Sequence, residues 1–204
     1  MKNSTPRSGY SPCFTKVRWG TLAALSLLLG VCAGRSYAEP GNDKRAPGVP
    51  ATLQVPEGNK VSFHTYAVGV QIYVATVSGN SSTGYAWTFR EPEAVLFDSD
   101  GNVVGIHYAY AGPTRPAWES NSGSRVVGAR SVAPVTVNSN AIPWLILSAV
   151  ATNTIGPGVF ERTTYIQRVN TTGGLAPANA PTQLGQEARV PYTAEYFFYR
   201  ALKR

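Results

Sequence analysis

The sequence predicts an all-β fold: a single antiparallel domain, sandwich or barrel, with few or no helices after an N-terminal leader. Three observations predict it. Apolar and polar residues alternate over many short stretches, and clusters of Gly, Pro, Asn and Ser punctuate them. After the leader, no stretch carries a convincing helical apolar period. The 204 residues are 43% hydrophobic and only 14% charged, which suits a packed core rather than a disordered chain.

The leader comes first. Lys2, Arg7, Lys16 and Arg18 make a basic start, and Leu22 to Ala33 an apolar run of signal-peptide length. Ser36-Tyr37-Ala38 then places small residues where cleavage needs them, so residues 1–38 read as a signal peptide cut near Ala38. The apolar run is short for a membrane anchor. Lipidation at Cys32 is the lesser reading, because Val31 stands where a lipobox wants a small residue. The mature protein is therefore expected in the periplasm or outside the cell.

Removing the leader changes the charge argument. It carries five of the 18 basic residues and none of the 11 acidic ones, so the mature chain falls from net +7 to net +2. That balance gives no support for nucleic-acid binding, which needs a concentrated basic surface. Both cysteines, Cys13 and Cys32, also leave with it. The mature domain can then form no disulfide and offers no thiolate.

Residues 39–54 are rich in Pro, Gly and charge and read as a flexible linker, with one β domain over 55–204. Val61 to Ala67 alternates, with Val61 and Phe63 on one face and Ser62, His64 and Tyr66 on the other. Gly69 to Val74 reads as a second strand, with Val70, Ile72 and Val74 together. Ser78 to Gly84 is a loop. Tyr85, Trp87 and Phe89 share a face, Glu91-Pro92-Glu93 breaks the strand, and Ala94 to Phe97 resumes it. Asp98 to Asn102 is a hairpin turn leading into Val103 to Ala111. Arg125 to Arg130 is a strand, and Ile142 to Leu147 is a buried strand or its approach, with a short helix as the alternative. Val159 to Val169 alternates, Asn170 to Gly174 turns, Leu175 to Gln186 is a loop, and Val190 to Tyr199 closes the chain. Phe63, Trp87, Trp144 and Phe197 are expected in the core.

Several of these stretches, in order, resemble the secreted bacterial and fungal proteins grouped as domain of unknown function 3455. They are Val70-Gln71-Ile72-Tyr73, Pro92-Glu93-Ala94 with Leu96 and Asp98, and Gly105-Ile106-His107-Tyr108 with Gly112-Pro113-Thr114. Ile142-Pro143-Trp144-Leu145, Tyr165-Ile166-Gln167-Arg168 with Thr172-Gly173-Gly174, and Val190 to Ala194 with Tyr196 complete the series. The resemblance implies export and a single all-β domain, and supplies no catalytic residues. The chain departs from the family pattern in four places. Val74-Ala75 and Ala180-Pro181 stand where cysteines are usual, Arg115-Pro116-Ala117 intervenes before Trp118-Glu119, and Ser122 replaces an Asp.

Candidate chemistry centres on Gly105 to Gly128, the densest polar-aromatic stretch. His64 and His107 are the only histidines, and they lack ligand-type spacing. No Gly-x-Ser-x-Gly elbow is present. Asp98 to Asn102 lacks the rest of a calcium loop, and Gly173-Gly174 lacks the helix and Lys of a phosphate loop. No catalytic residue, metal site or cofactor is therefore assigned. The residues expected to contact a ligand are His107, Tyr108, Tyr110, Trp118 and Glu119, since exposed aromatics beside a carboxylate can stack on a sugar or hold a small apolar molecule. The sequence reads as an exported, non-enzymatic binding or structural domain that does not span the membrane. The alternative is a hydrolase-like enzyme or metal-binding protein using His107 with Glu119 or Asp98.

Overall fold

The computed structural model describes residues 46–203 apart from 111, 113, 114 and 154–157. The leader with Cys13 and Cys32, and the first part of the predicted linker, lie outside the described residues. Within that range the fold is a closed barrel of eight antiparallel strands. They are β1 (Asn59–Val77), β2 (Tyr85–Phe97), β3 (Val103–Ala109), β4 (Pro116–Ser120), β5 (Arg125–Arg130), β6 (Leu145–Asn153), β7 (Thr163–Gly173) and β8 (Glu187–Ala201). Each strand pairs with its sequence neighbours, and β8 closes on β1, so the sheet has no free edge. Among the described residues the only other regular element is a 3-10 turn at Ala51–Leu53.

The strands are longer than the punctuation of the sequence suggests. The two predicted strands at 61–67 and 69–74 are one continuous β1. Gly69 does not break it; the glycine lets two strands touch. A Cβ there would sit 2.1 Å from the Glu93 carbonyl oxygen of β2. Pro92 lies inside β2, opposite Gln71, beside the register shift at Ile72/Tyr73 where the ladder is already interrupted. The turn expected at 170–174 is instead the end of β7, carried past a bulge at Asn170 (φ 49°) to Gly173. Another bulge, between Val61 and Phe63, sends those two residues to opposite faces rather than to one.

The Asp98–Asn102 hairpin turn forms as read, with Asp98 Oδ1 accepting from the Asp100 and Asn102 amides. Residues 142–144 approach β6, and Ile146 and Leu147 are buried in it. Of the four aromatics expected in the core, Phe63 and Phe197 are buried. Trp87 and Trp144 are only part-buried. Trp87 stays at the surface because its indole N–H donates to Asn179 O in the β7–β8 loop. Trp144 packs on a cluster outside the barrel.

That outer cluster is Val61, Val169, Phe197 and Tyr199. Residues 46–54 belong to it: Val49 packs against it, and fully buried Leu53 accepts a hydrogen bond from Gln167 Nε2. The inner cluster lies inside the barrel. It includes Phe63, Leu96, Trp118, Ile166, Tyr196 and Phe198, with Phe160 from the β6–β7 connection.

Candidate functional site

The barrel interior changes character along its axis. At the end bearing the β2–β3, β4–β5 and β6–β7 connections, Phe160 packs on Phe63 and Phe198 with ring centroids 5.7 and 4.6 Å away. Trp118 meets Phe198 edge-on at 5.8 Å. This end is filled. Toward the other end the inward residues of β1 run Thr65, Ala67, Gly69, Gln71 and Tyr73, and those of β8 run Tyr196, Ala194 and Tyr192. Small and polar residues replace large apolar ones, and a cavity of about 720 Å³ opens there.

Strand alternation builds the cavity wall. Gln71 and Tyr73 come from β1, Phe89 and Pro92 from β2, and His107 from β3. Leu145 and Leu147 come from β6, and Arg168 from β7. The β5–β6 connection folds back over this end. Ile142 inserts into the inner cluster, and its amide donates to Gly173 O at 2.9 Å. Gly174, at φ 79°, fits only as glycine. A Cβ there would press within about 3.0 Å of Tyr192, Gln71 and Ile142. Its carbonyl receives the Tyr73 hydroxyl at 2.7 Å.

The polar groups here are few and underused. Arg168 donates through Nε and Nη2 to one acceptor, Pro143 O, at 3.2 and 2.8 Å. Gln71 Nε2, Tyr192 OH and Tyr196 OH are buried without a hydrogen-bond partner. The two tyrosines approach each other, Gln71 and Arg168 without regular hydrogen-bond geometry. Burial raises both phenols above their ordinary value, so each keeps its proton. His107 is fully enclosed, stacked on Trp118 at 4.5 Å, and its Nδ1–H donates to Ala117 O at 2.8 Å. Burial drives its pKa down to about 3, so the imidazole is neutral and Nε2 is an acceptor. Arg115 and Arg130 stand exposed at the mouth. The lining contains no Asp or Glu.

The five residues singled out in the sequence divide between two sides of the wall. His107 and Trp118 pair across β3 and β4 and face inward; Trp118 is core, 1% exposed. Tyr108, Tyr110 and Glu119 lie on the outside around Arg125. Tyr108 OH donates to Glu119 Oε2 at 2.7 Å, Arg125 lies 3.6 Å from Glu119, and its guanidinium sits 4.3 Å over the Tyr110 ring. His107 therefore does not meet Glu119. Asp98 caps its own turn at the far end, where hydrogen bonds from Asn102 hold its carboxyl below the ordinary range. His64, on the face opposite Phe63, is buried on the outside of the barrel. It stacks on Phe197 at 3.9 Å and bonds to Glu195 at 2.9 Å. No group of three His, Cys, Asp or Glu side chains able to hold a metal gathers among the described residues.

Arg168, Gln71, Tyr192 and Tyr196 were not singled out in the sequence. A signal was present: Arg168 lies in phase with buried Ile166, and Gln71 in phase with buried Ala67, so both put a polar group on an apolar face. Arg115, of the Arg115-Pro116-Ala117 departure, reaches the mouth through the β3–β4 turn, where Tyr110 N donates to Arg115 O.

A family profile described as "Protein of unknown function (DUF3455)" matches residues 56–200, nearly the whole of the barrel. No curated protein and no solved structure matches the chain.

Proposed function

The chain belongs to the DUF3455 family, and we propose that it is an exported, non-enzymatic binding protein that takes a small, mostly apolar molecule into the open end of its barrel. The observation that carries this is the cavity itself. It measures about 720 Å³, within the range of small-molecule sites, and apolar walls surround a few convergent polar groups. Eight-stranded barrels are just wide enough to hold one such ligand when their side chains leave room. Export rests on the signal-like leader, which places the mature barrel in the periplasm or outside the cell. The binding reading is preferred to the enzyme reading because His107 is neutral, walled in by Trp118 and Tyr196, and separated from Glu119 by the sheet.

Titration with the neutral fluorescent probe N-phenyl-1-naphthylamine tests the proposal. The wild-type protein should bind one probe per chain. Leu145→Trp, which fills the cavity from β6, should weaken binding at least about tenfold while the barrel stays folded. Absence of probe binding, or equal binding by Leu145→Trp, sinks the pocket reading.

A further inference from the structure

We infer that the molecule held in the barrel is an amphiphile with a single carboxylate, whose acid group meets Arg168 and whose apolar body lies toward Phe89, Leu145 and Leu147. The inference rests on the pocket reading above and adds the ligand's chemistry.

Arg168 carries the argument. It is the inward-facing cation of the cavity, part-buried on β7, and no carboxylate lies within 4.0 Å of it among the described residues. The acids Glu91 and Glu93 of β2 and Glu187 of β8 are paired with Arg90 and Arg189. Two nitrogens of the Arg168 fork share one backbone carbonyl, and its other approach is to the neutral Tyr196 hydroxyl. A guanidinium removed from bulk water and given only neutral acceptors is short of a counter-charge. An arginine fork fits a carboxylate in shape as well as in charge.

Its neighbours are donors too. Gln71 Nε2 and the Tyr192 and Tyr196 hydroxyls approach one another and Arg168 without forming a hydrogen bond of regular geometry. A cation beside donors so loosely engaged calls for an oxygen-rich anion rather than for an amine. One inward arginine matches one negative charge. Arg115 and Arg130 stand exposed at the mouth with no acid in the lining, so the entrance favours anions over cations. Beyond this polar group the walls turn apolar, with Phe89, Pro134, Ile142, Leu145, Leu147 and Val150. Charge at one position and hydrocarbon elsewhere defines an amphiphilic acid.

Competition against bound N-phenyl-1-naphthylamine, on protein produced from the full chain at pH about 8, separates the possibilities. Decanoate, decan-1-ol and decylamine share a tail and differ in head group. Decanoate should displace the probe at a concentration at least about tenfold lower than decan-1-ol, as a charge-assisted pair implies. Decylamine should be the weakest of the three. Arg168→Met should still bind the probe and should take decanoate no better than decan-1-ol. Gln71→Leu, which leaves the guanidinium in place, should weaken decanoate several-fold. If the wild-type protein binds the probe but treats decanoate and decan-1-ol alike, the carboxylate inference is overturned and the pocket stands. If the probe does not bind at all, the pocket reading itself fails. Should Arg168→Met not fold, the wild-type comparison and Gln71→Leu decide the matter.

Discussion

The two ends of this barrel share the same strands and differ in what those strands turn inward. Along β8 the inward row runs Phe198, Tyr196, Ala194, Tyr192 from the filled end to the open one. Along β1 it runs Phe63, Thr65, Ala67, Gly69, Gln71. At the filled end three phenylalanines and Trp118 interlock through edge-on and tilted ring contacts, which is how a small barrel excludes water and gains its core energy. At the open end the same rows leave room, and polar atoms go without partners. Unpartnered buried groups weaken a fold. Gln71 and Tyr192 carry such groups beside the cavity, as the proposed binding role requires.

The largest effect should come from the filled end. Phe198→Ala removes a fully buried ring that touches Phe63, Trp118 and Phe160. It should cost about 3–5 kcal/mol in denaturant unfolding. The folded fraction should bind N-phenyl-1-naphthylamine as the wild type does. Loss of probe affinity in that fraction would mean that the two ends are coupled and do not divide their roles.

The next effect comes from the level between the ends. His107 has a folded pKa of about 3 against an ordinary 6.5. Between those values the unfolded chain binds more protons than the folded one. Stability is therefore fully present above about pH 6.5 and falls as the pH drops toward 3, by up to about 1.4 kcal/mol per pH unit. His107→Leu should flatten that slope in urea titrations between pH 7 and 4. An unchanged slope would show that water reaches the imidazole from the cavity, extending the open end deeper than Trp118.

Much of this architecture was legible in the sequence and the division between its ends was not. Alternation and turn chemistry are local, so the all-β class, the Asp98–Asn102 turn and the limits of β5 follow from neighbouring residues alone. Bulges are not local. The Val61/Phe63 and Val169/Thr172 shifts arise where long strands must coil to close a barrel, and each changes which face the residues beyond it occupy. Gly69 and Pro92 read as breaks because a sequence shows a missing side chain or a missing amide, not the strand that accommodates it. The candidate stretch at 105–128 was located, but adjacency in sequence put His107 and Tyr108 in one site when alternation puts them on opposite sides of the wall. Arg168 and Gln71 were missed because polar residues in a strand are ordinarily assigned to solvent, and only closure of the barrel turns these inward.

A subtler substitution sharpens the contrast between the ends. Tyr192→Phe deletes a buried hydroxyl whose approaches to Tyr196 and Gln71 fall outside regular hydrogen-bond geometry. Its removal should leave stability within about 1 kcal/mol of wild type, or raise it, because no well-formed bond is lost and a desolvated polar group is relieved. Decanoate affinity should fall in the same variant. A clear loss of stability would show instead that the hydroxyl is satisfied by bound water, and that this end is hydrated structure rather than a vacant set of donors.

The smallest effect belongs to the outside of the wall. Tyr110 is 52% exposed, with Arg125 stacked over one face of its ring. Tyr110→Ala should change stability by less than about 1 kcal/mol, the size of an exposed cation–π contact, and should not alter probe or decanoate binding. The same variant decides between inside and outside as the place of recognition. A glycan would suit the free face of Tyr110, with Glu119 and Tyr108 beside it, better than the mostly apolar walls of the cavity. If an oligosaccharide panel finds a ligand that wild type binds and Tyr110→Ala does not, recognition lies on the outer face of β3–β5. The open end would then need another account of its unpaired arginine.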